Sequence, residues 1–284
     1  MDRARSRGYL NEDFRMFRIR DRRHAAFDFH FHSFNKVIVF LTGHVTYVVE
    51  DKAYQLKPWD VLAVNRGQVH RPVIAADEVY ERVIFYLDPA YLNAQAPLGE
   101  LFERVEARRY NILRPNARER LALTDLFAAL EEELGGREFA SQTLQHAIMT
   151  QIMVRFNRIS LRDDAADEES FLADPVISEI VVYILANLAS DLAIDRLAAR
   201  FFVSPSFLMH RFRAVTGYSP HNYITIKRMA FAADLIAGGM PASDAARRCG
   251  YANYSSFSRA YRKQYGVSPT QPLPRLGELD APMD

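Results

Sequence analysis

One seventeen-residue pattern occurs twice in the chain, and this duplication constrains the fold more than any other feature. The residues SPSFLMHRFRAVTGYSP span 204–220, and NYSSFSRAYRKQYGVSP span 253–269. Apolar positions, a glycine and a final Ser-Pro align at a constant offset. Each copy begins with a helix N-cap residue, Ser204 or Asn253, and ends with a glycine suited to a left-handed C-cap. The duplication therefore predicts two copies of one amphipathic helix.

A short alanine-rich helix is predicted before each copy, over 194–201 and 242–249. Small side chains let two helices approach closely, and Gly250 supplies a tight turn in the second pair. This arrangement is a helix-turn-helix, whose second helix presents its outer face to the DNA major groove. Amphipathic helices with outward arginines also occur in any all-α domain. The duplication is what favours DNA binding over that alternative.

Charge is distributed unevenly, although the whole chain has a net charge of only +1. Residues 191–275 contain 12 Lys and Arg against 4 Asp and Glu, a net +8, whereas residues 161–190 contain 1 against 7, a net −6. A basic C-terminal region behind an acidic joint favours double-stranded DNA as the partner of that region alone. The alternative is an uneven but merely solvated surface.

The two helix pairs, the helix predicted between them over 219–237 and the run SSFSRAYRKQYGVSP resemble the AraC/XylS family of bacterial transcription regulators. The resemblance covers about 174–272 and implies a DNA-binding transcription regulator. Activation, with RNA polymerase as a partner, and repression are both open at this point. Thr270 to Pro274 depart from the short helix that the family has after its final proline. Carried over by position, the groove-facing residues would be Ser206, Met209 and His210 in the first copy and Ser255, Ser258 and Arg259 in the second. The phosphate contacts would be Arg213, Arg262 and Lys263.

Arg259 is the strongest candidate for recognising a base, because one guanidinium can bond both acceptors of guanine at once. The first copy has no arginine on its leading face. We therefore expect a softer sequence preference from the first recognition helix than from the second.

The N-terminal part has the sequence pattern of a small β-domain. Short β-branched and aromatic runs separated by turn residues predict strands over 14–20, 36–41, 45–50, 53–56, 61–64, 73–75 and 81–87. Strands at this spacing predict an antiparallel β-barrel or jelly roll. The chain is thus predicted to be α+β with two domains, and its C-terminal domain to be all-α.

Three histidines mark a candidate site in this β-domain. His30 and His32 alternate by two, so both side chains lie on one face of a strand. With His70, which follows PWDVLAVNRGQVH, they resemble the histidine motifs of the cupin barrel. Metal-binding cupins also supply a carboxylate near the position that Lys36 occupies here. Because a cation beside three histidines disfavours a divalent metal, we expect neither metal nor cofactor.

This histidine constellation instead favours a pocket for a small organic effector that is polar or anionic. Lys36 would add a fixed positive charge, and Tyr47 and Tyr86 would supply apolar walls. Two alternatives remain, purely structural histidines and a bound metal. The metal alternative corresponds to a rival function, a metal-dependent cupin enzyme with an accessory DNA-binding domain. The lysine favours a regulator that is not an enzyme.

Two long amphipathic helices follow the strands. The first starts at a capping box of Asn116 and Glu119, and the second covers about 141–159. Their apolar stripes are Leu123, Leu126, Phe127, Leu130 and Leu134 in the first, and Leu144, Ile148, Ile152 and Phe156 in the second. Two stripes exceed what the flank of a small barrel uses, so we predict a homodimer through these helices, which pair subunits in the family resembled. The alternative is packing against the barrel alone.

The predicted organisation has four parts. They are a cupin-like sensor with an N-terminal arm over 1–115, a helical dimerisation pair over 116–160, a linker over 161–173 and a DNA-binding domain over 174–275. The single cysteine, Cys249, excludes an intramolecular disulfide. No apolar run approaches the roughly 20 residues of a membrane span, and no apolar stretch follows the basic N-terminus. We therefore expect a cytoplasmic protein without a membrane partner.

Overall fold

The computed structural model describes residues 10, 12–22, 27–74, 78–95, 97–162, 170–172 and 174–271. Within these ranges the strands are β1 (Phe14–Asp21), β2 (Asn35–Thr42), β3 (Val45–Val49), β4 (Lys52–Gln55), β5 (Val61–Val64), β6 (His70–Ile74), β7 (Tyr80–Leu87), β8 (Ile112–Leu113) and β9 (Ser170–Leu172). The helices are α1 (Pro89–Ala94), α2 (Glu100–Arg108), α3 (Ala117–Gly135), α4 (Ser141–Ser160), α5 (Pro175–Ala186), α6 (Ile194–Arg200), α7 (Pro205–Thr216), α8 (Pro220–Ala237), α9 (Ala242–Arg248) and α10 (Tyr254–Tyr265). The predicted α+β architecture with two domains is confirmed. None of the helices described is both long and apolar enough to cross a membrane.

The strands form two antiparallel sheets, in the orders β1-β7-β2-β5-β8 and β6-β3-β4-β9. Side chains from both sheets, including Ile38 and Tyr86 from one and Tyr47 and Tyr54 from the other, fill a common apolar core. No ladder joins the two sheets within the described ranges, so the predicted barrel is a pair of facing sheets and is not closed.

Two short strands were not predicted from the sequence. β8 extends the first sheet beside β5, and β9 pairs with β4 in the second. β9 lies inside the predicted linker, so part of that segment returns to the sensor before the C-terminal helices begin. The acidic residues 163–169 lie outside the described ranges.

The helices α3 and α4 pack on the outer face of the five-stranded sheet. The capping box at the start of α3 is confirmed, since the Asn116 side chain accepts from the Glu119 amide at 3.0 Å and Glu119 accepts from the Asn116 amide at 2.8 Å. Most of the two predicted stripes packs against the sheet of the same chain. Their buried members share one core with the sheet residues Val37, Val39 and Phe85. These members are Leu123, Phe127, Leu130, Ile148, Ile152 and Phe156.

The C-terminal helices form two units joined by the continuous helix α8. One apolar core joins α5, α6, α7 and the first half of α8, and a second joins the rest of α8 with α9 and α10. The predicted caps are confirmed, because the side chains of Ser204 and Asn253 accept from backbone amides of α7 and α10. Both helices end at a left-handed glycine, with φ of 78° at Gly217 and 77° at Gly266.

The turns inside the two helix pairs differ. Gly250 has φ of 80°, as a tight turn requires, but the first pair places Phe202 in the left-handed region at 55°. The side chain of Phe202 is 97% exposed. Phe207 on α7 is also exposed, because Leu208 takes the core position beside it.

Candidate DNA-binding surface and ligand pocket

The outer faces of α7 and α10 form the candidate DNA-binding surface. Leu208 and Phe212 on α7, and Phe257 and Tyr261 on α10, are buried and orient each helix against its core. The residues predicted to face DNA therefore lie on the opposite side. Ser206, Met209, His210, Arg213, Ser255, Arg259, Arg262 and Lys263 are exposed, and Ser258 is half-buried. The sensor covers none of the exposed ones, so the face predicted to enter the groove is open to a duplex.

The three predicted pocket histidines lie together between the two sheets. Ring centroids are 5.0 Å apart for His30 and His32, 4.4 Å for His30 and His70, and 5.1 Å for His32 and His70. A backbone bridge holds His30 beside His70, with N–H···O distances of 3.1 and 2.8 Å. All three side chains are buried, and His32 stacks on Phe34 at 4.6 Å. The predicted inward orientation is therefore what the strand adopts.

Backbone carbonyls determine the orientation of two of the rings. Nδ1 of His30 lies 3.0 Å from the carbonyl oxygen of Asp28, and Nδ1 of His70 lies 2.9 Å from that of Gln68. A carbonyl can only accept, so Nδ1 is the donor in both rings and Nε2 is the acceptor in the neutral form. Both histidines thus direct an acceptor nitrogen into the interior.

The other three predicted pocket residues belong to the same interior. The Lys36 ammonium lies 5.8 Å from the ring centroid of Tyr86, and that ring lies 5.8 Å from His32. Tyr47 lies 6.0 Å from His70. Each of the six side chains is at most 5% exposed. The structure therefore brings together the whole predicted set from separate strands.

The charge of Lys36 disfavours a metal, although the three histidines could supply ligand atoms for one. One nitrogen from each histidine lies within 4.8 Å of the others, so three ligand atoms are within reach of a transition-metal ion. The cupin carboxylate position is nevertheless occupied by Lys36, which is fully buried. A divalent ion beside that ammonium would concentrate positive charge in a medium of low dielectric.

A cavity that the sequence did not predict lies between the sensor and the DNA-binding domain. It has a volume of about 790 Å³ and is lined by the β3–β4 and β5–β6 turns, α2, the end of α5 and α8. Its wall contains charges of both signs, and Arg66 pairs with Asp234 at 2.5 Å. Burial raises the pKa of Asp234 to about 6, against the opposing effect of Arg66. Partners so far apart in the chain leave no local signal in the sequence.

The chain joins two basic helix-turn-helix units by one continuous helix, and its β-domain contains a buried polar cluster. Together these features define a transcription regulator with a ligand-binding domain. Residues 14–148 match the AraC-like ligand binding domain, and residues 197–273 match a helix-turn-helix domain. The chain belongs to the AraC/XylS family of transcription regulators. It is a regulator and not an enzyme.

Relatives with named functions match along most of their length. The "Probable transcriptional regulator LumQ" of Photobacterium leiognathi is 25% identical over 247 residues, covering 86% of this chain and 90% of LumQ. The transcriptional activator RhaS of Escherichia coli is 22% identical over 247 residues, covering 86% of this chain and 87% of RhaS. Among solved structures, the C-terminal domain of AraT, a response regulator from Geobacillus stearothermophilus, is 32% identical, with a TM-score of 0.33. It covers 34% of this chain and 81% of that domain.

Proposed function

We propose that the chain is a cytoplasmic activator whose sensor binds a small polar or anionic organic effector and thereby biases DNA binding. The observation that supports this most is the meeting of six predicted side chains in one buried interior. They are His30, His32, Lys36, Tyr47, His70 and Tyr86. The name of RhaS, a transcriptional activator, supports activation as the outcome here. RNA polymerase is then the further partner on which an activator would act.

The chemistry of this interior matches a carboxylate or polyhydroxyl group on an apolar body. The Lys36 ammonium attracts negative charge. The acceptor nitrogens of the histidines bond hydroxyl groups of the effector, and the tyrosine hydroxyls donate to or accept from its oxygen atoms. Aromatic rings surround these groups, as in most small-molecule sites. Because all six side chains are buried, the effector enters only when the two sheets move apart. The pocket therefore has a closed and an open state, and the effector changes the equilibrium between them.

A first prediction tests the charge of the pocket. We expect Lys36→Met to weaken binding of a small carboxylate effector by about 1.5–3 kcal/mol, the contribution of one charge-assisted hydrogen bond. The matched control is Lys57→Met, an exposed lysine on the turn before β5. Calorimetry over a panel of carboxylates and sugars measures both variants. Elemental analysis of the same preparation decides against the proposal if zinc, iron or nickel survives chelator washing and is lost in His70→Ala.

We also propose that the sensor forms a homodimer, through the exposed ends of the predicted stripes and the turn that joins the two helices. Leu134, Phe139 and Leu144 cluster around the turn between α3 and α4 and are 42%, 101% and 48% exposed. Apolar groups grouped in this way favour contact with a second copy over water. Leu130, by contrast, is fully buried in the sensor core, so charging it would unfold the sensor and not merely separate subunits.

The dimer prediction is tested by sedimentation at micromolar concentration. We expect the wild type to sediment as a dimer and Phe139→Ser/Leu144→Ser as a folded monomer. Leu121→Ser is the control, since Leu121 is 66% exposed but lies near the other end of α3. A monomeric wild type, or a dimer that persists in the double variant, would be incompatible with this contact.

A further inference from the structure

One short segment, residues 29–32, contributes side chains to two cores at once. We propose that this segment, together with Val69, transmits occupation of the histidine pocket to the first helix-turn-helix unit. The proposal rests on the ligand-responsive function above and adds the route by which the response travels. That route runs from the pocket rings, through the backbone that carries them, to the end of recognition helix α7.

Alternation along the segment separates its two roles. His30 and His32 point between the sheets, where their rings contact His70, Phe34 and Tyr86. Phe31 points the other way, is 3% exposed and belongs to the core built by α5, α6, α7 and α8. The segment that pairs with it through the His30–His70 bridge repeats this pattern. There His70 faces the pocket, while Val69 is fully buried in the core of the DNA-binding domain.

Phe29 places the same segment against the end of α7. A Cβ atom built on Gly217 would lie only 2.2 Å from the nearest atom of the Phe29 ring, so the ring rests directly on this C-cap. The next residue, Tyr218, donates from its hydroxyl to the carbonyl oxygen of Phe29 at 2.9 Å. A shift of the segment therefore acts on the junction between α7 and α8.

A buried carboxylate connects this paired segment to the helix that spaces the two units. Glu50 accepts from the Val69 amide at 2.8 Å and also from the Tyr223 hydroxyl and the Lys227 ammonium. Lys227 donates further to the carbonyl oxygen of Gly67 at 2.7 Å. Glu50 and Lys227 side chains are both 8% exposed. The Val69 amide, next to His70, is thus connected to α8 by two hydrogen bonds that meet at the Glu50 carboxylate.

Close packing converts a change in the pocket into movement of these contacts. The three histidine rings already lie 4.4–5.1 Å apart, so a molecule that enters between them must displace the rings or the backbone. The backbone carbonyls that hold His30 and His70 oppose rotation of the rings alone. Since packed cores shift between discrete arrangements, displacement of the backbone moves Phe31 and Val69 within the DNA-binding core.

The test compares two cavities made in the same pocket of the full chain. His32→Ala removes a ring from the shared segment. Tyr47→Ala removes a larger ring from β3, whose core residues Val45, Tyr47 and Val49 all belong to the sensor core. The hydrogen-exchange rate is measured at the backbone amides of residues 217–219 and 221–223 and divided by the rate of the α10 amides. We expect this ratio to rise about tenfold in His32→Ala and to stay near the wild-type value in Tyr47→Ala. If His32→Ala does not fold, His32→Phe replaces it.

Both remaining outcomes overturn the proposal. An unchanged ratio in His32→Ala means that the segment does not reach α7, and an equal rise in Tyr47→Ala means that loosening spreads through the sensor without a preferred route. The measurement needs neither effector nor DNA. A negative result in this exchange experiment would therefore not contradict the proposed ligand-responsive function. Conversely, an absence of effector binding in calorimetry would not contradict the connection between segment 29–32 and α7.

Discussion

Replacing Lys227 with methionine should separate the unfolding of the two domains and remove about 3–5 kcal/mol of the free energy that holds them together. The substitution leaves the Glu50 carboxylate buried without its ammonium partner, although the Val69 amide and the Tyr223 hydroxyl still donate to it. Desolvation of a lone buried charge is costly, and parting of the domains relieves it by admitting water. The introduced methionine side chain is apolar and of similar length, so it adds no comparable cost.

The measurement is urea unfolding followed in each domain separately. The only tryptophan of the chain, Trp59, lies in the sensor and reports that domain by fluorescence. Hydrogen exchange of α10 reports the second helix-turn-helix unit. In the wild type we expect the two midpoints to coincide, and in Lys227→Met we expect the two to differ.

Two further variants make this prediction specific. Arg196→Met breaks an exposed pair with Asp191, whose side chains are 73% and 56% exposed, and should cost less than about 1 kcal/mol. Glu50→Gln/Lys227→Met removes both charges and should recover most of the loss, because breaking one partner costs more than replacing both. Coincident midpoints in Lys227→Met, unchanged from the wild type, would show that the buried pair does not hold the domains together.

Arg259→Ala should weaken binding to the preferred DNA site by about 1–3 kcal/mol and relax the base preference at one position. Arg259 is exposed on the outer face of α10. Among the hydrogen bonds described, its guanidinium makes one, to the Ser256 hydroxyl at 3.3 Å. Its guanidinium is therefore available to both acceptors of a guanine. The preferred site is first selected from random duplexes with the full chain, and affinities are then measured on that site and on random DNA.

The matched control is Lys263→Ala on the same helix. A phosphate contact carries no sequence information, so this change should weaken every duplex similarly and reduce the salt slope by about 1. The assignment of Arg259 to a base would be wrong if its removal lowered affinity equally on selected and random DNA.

The sequence predicted features that depend on residues close together in the chain. Caps at Asn116, Ser204 and Asn253, and the glycine ends of α7 and α10, follow from local backbone geometry. The inward direction of His30 and His32 follows from strand alternation. The duplicated helix pattern identified the DNA-binding domain because repetition rarely arises from unrelated surface helices.

Features that depend on distant partners were not predictable. The stripes of α3 and α4 indicated which face is buried, but an apolar pattern does not specify whether a sheet or a second subunit covers it. Glu50 and Lys227 look like ordinary surface charges, and only their meeting across 177 positions shows that they are buried together. β9 was missed because three residues in a polar linker carry too weak a pattern.

The shared segment 29–32 sets a rule for building chimeric regulators. A recombinant joined at Asp174, where the sequence places the domain boundary, would bring the DNA-binding helices beside a foreign sensor. The core around Ile177 and Leu208 would then lose Phe31 and Val69, and Gly217 would lose the ring that lies against it. Sensor domains are therefore exchangeable only together with these few outward-facing side chains, so the unit inherited through domain shuffling is larger than either domain.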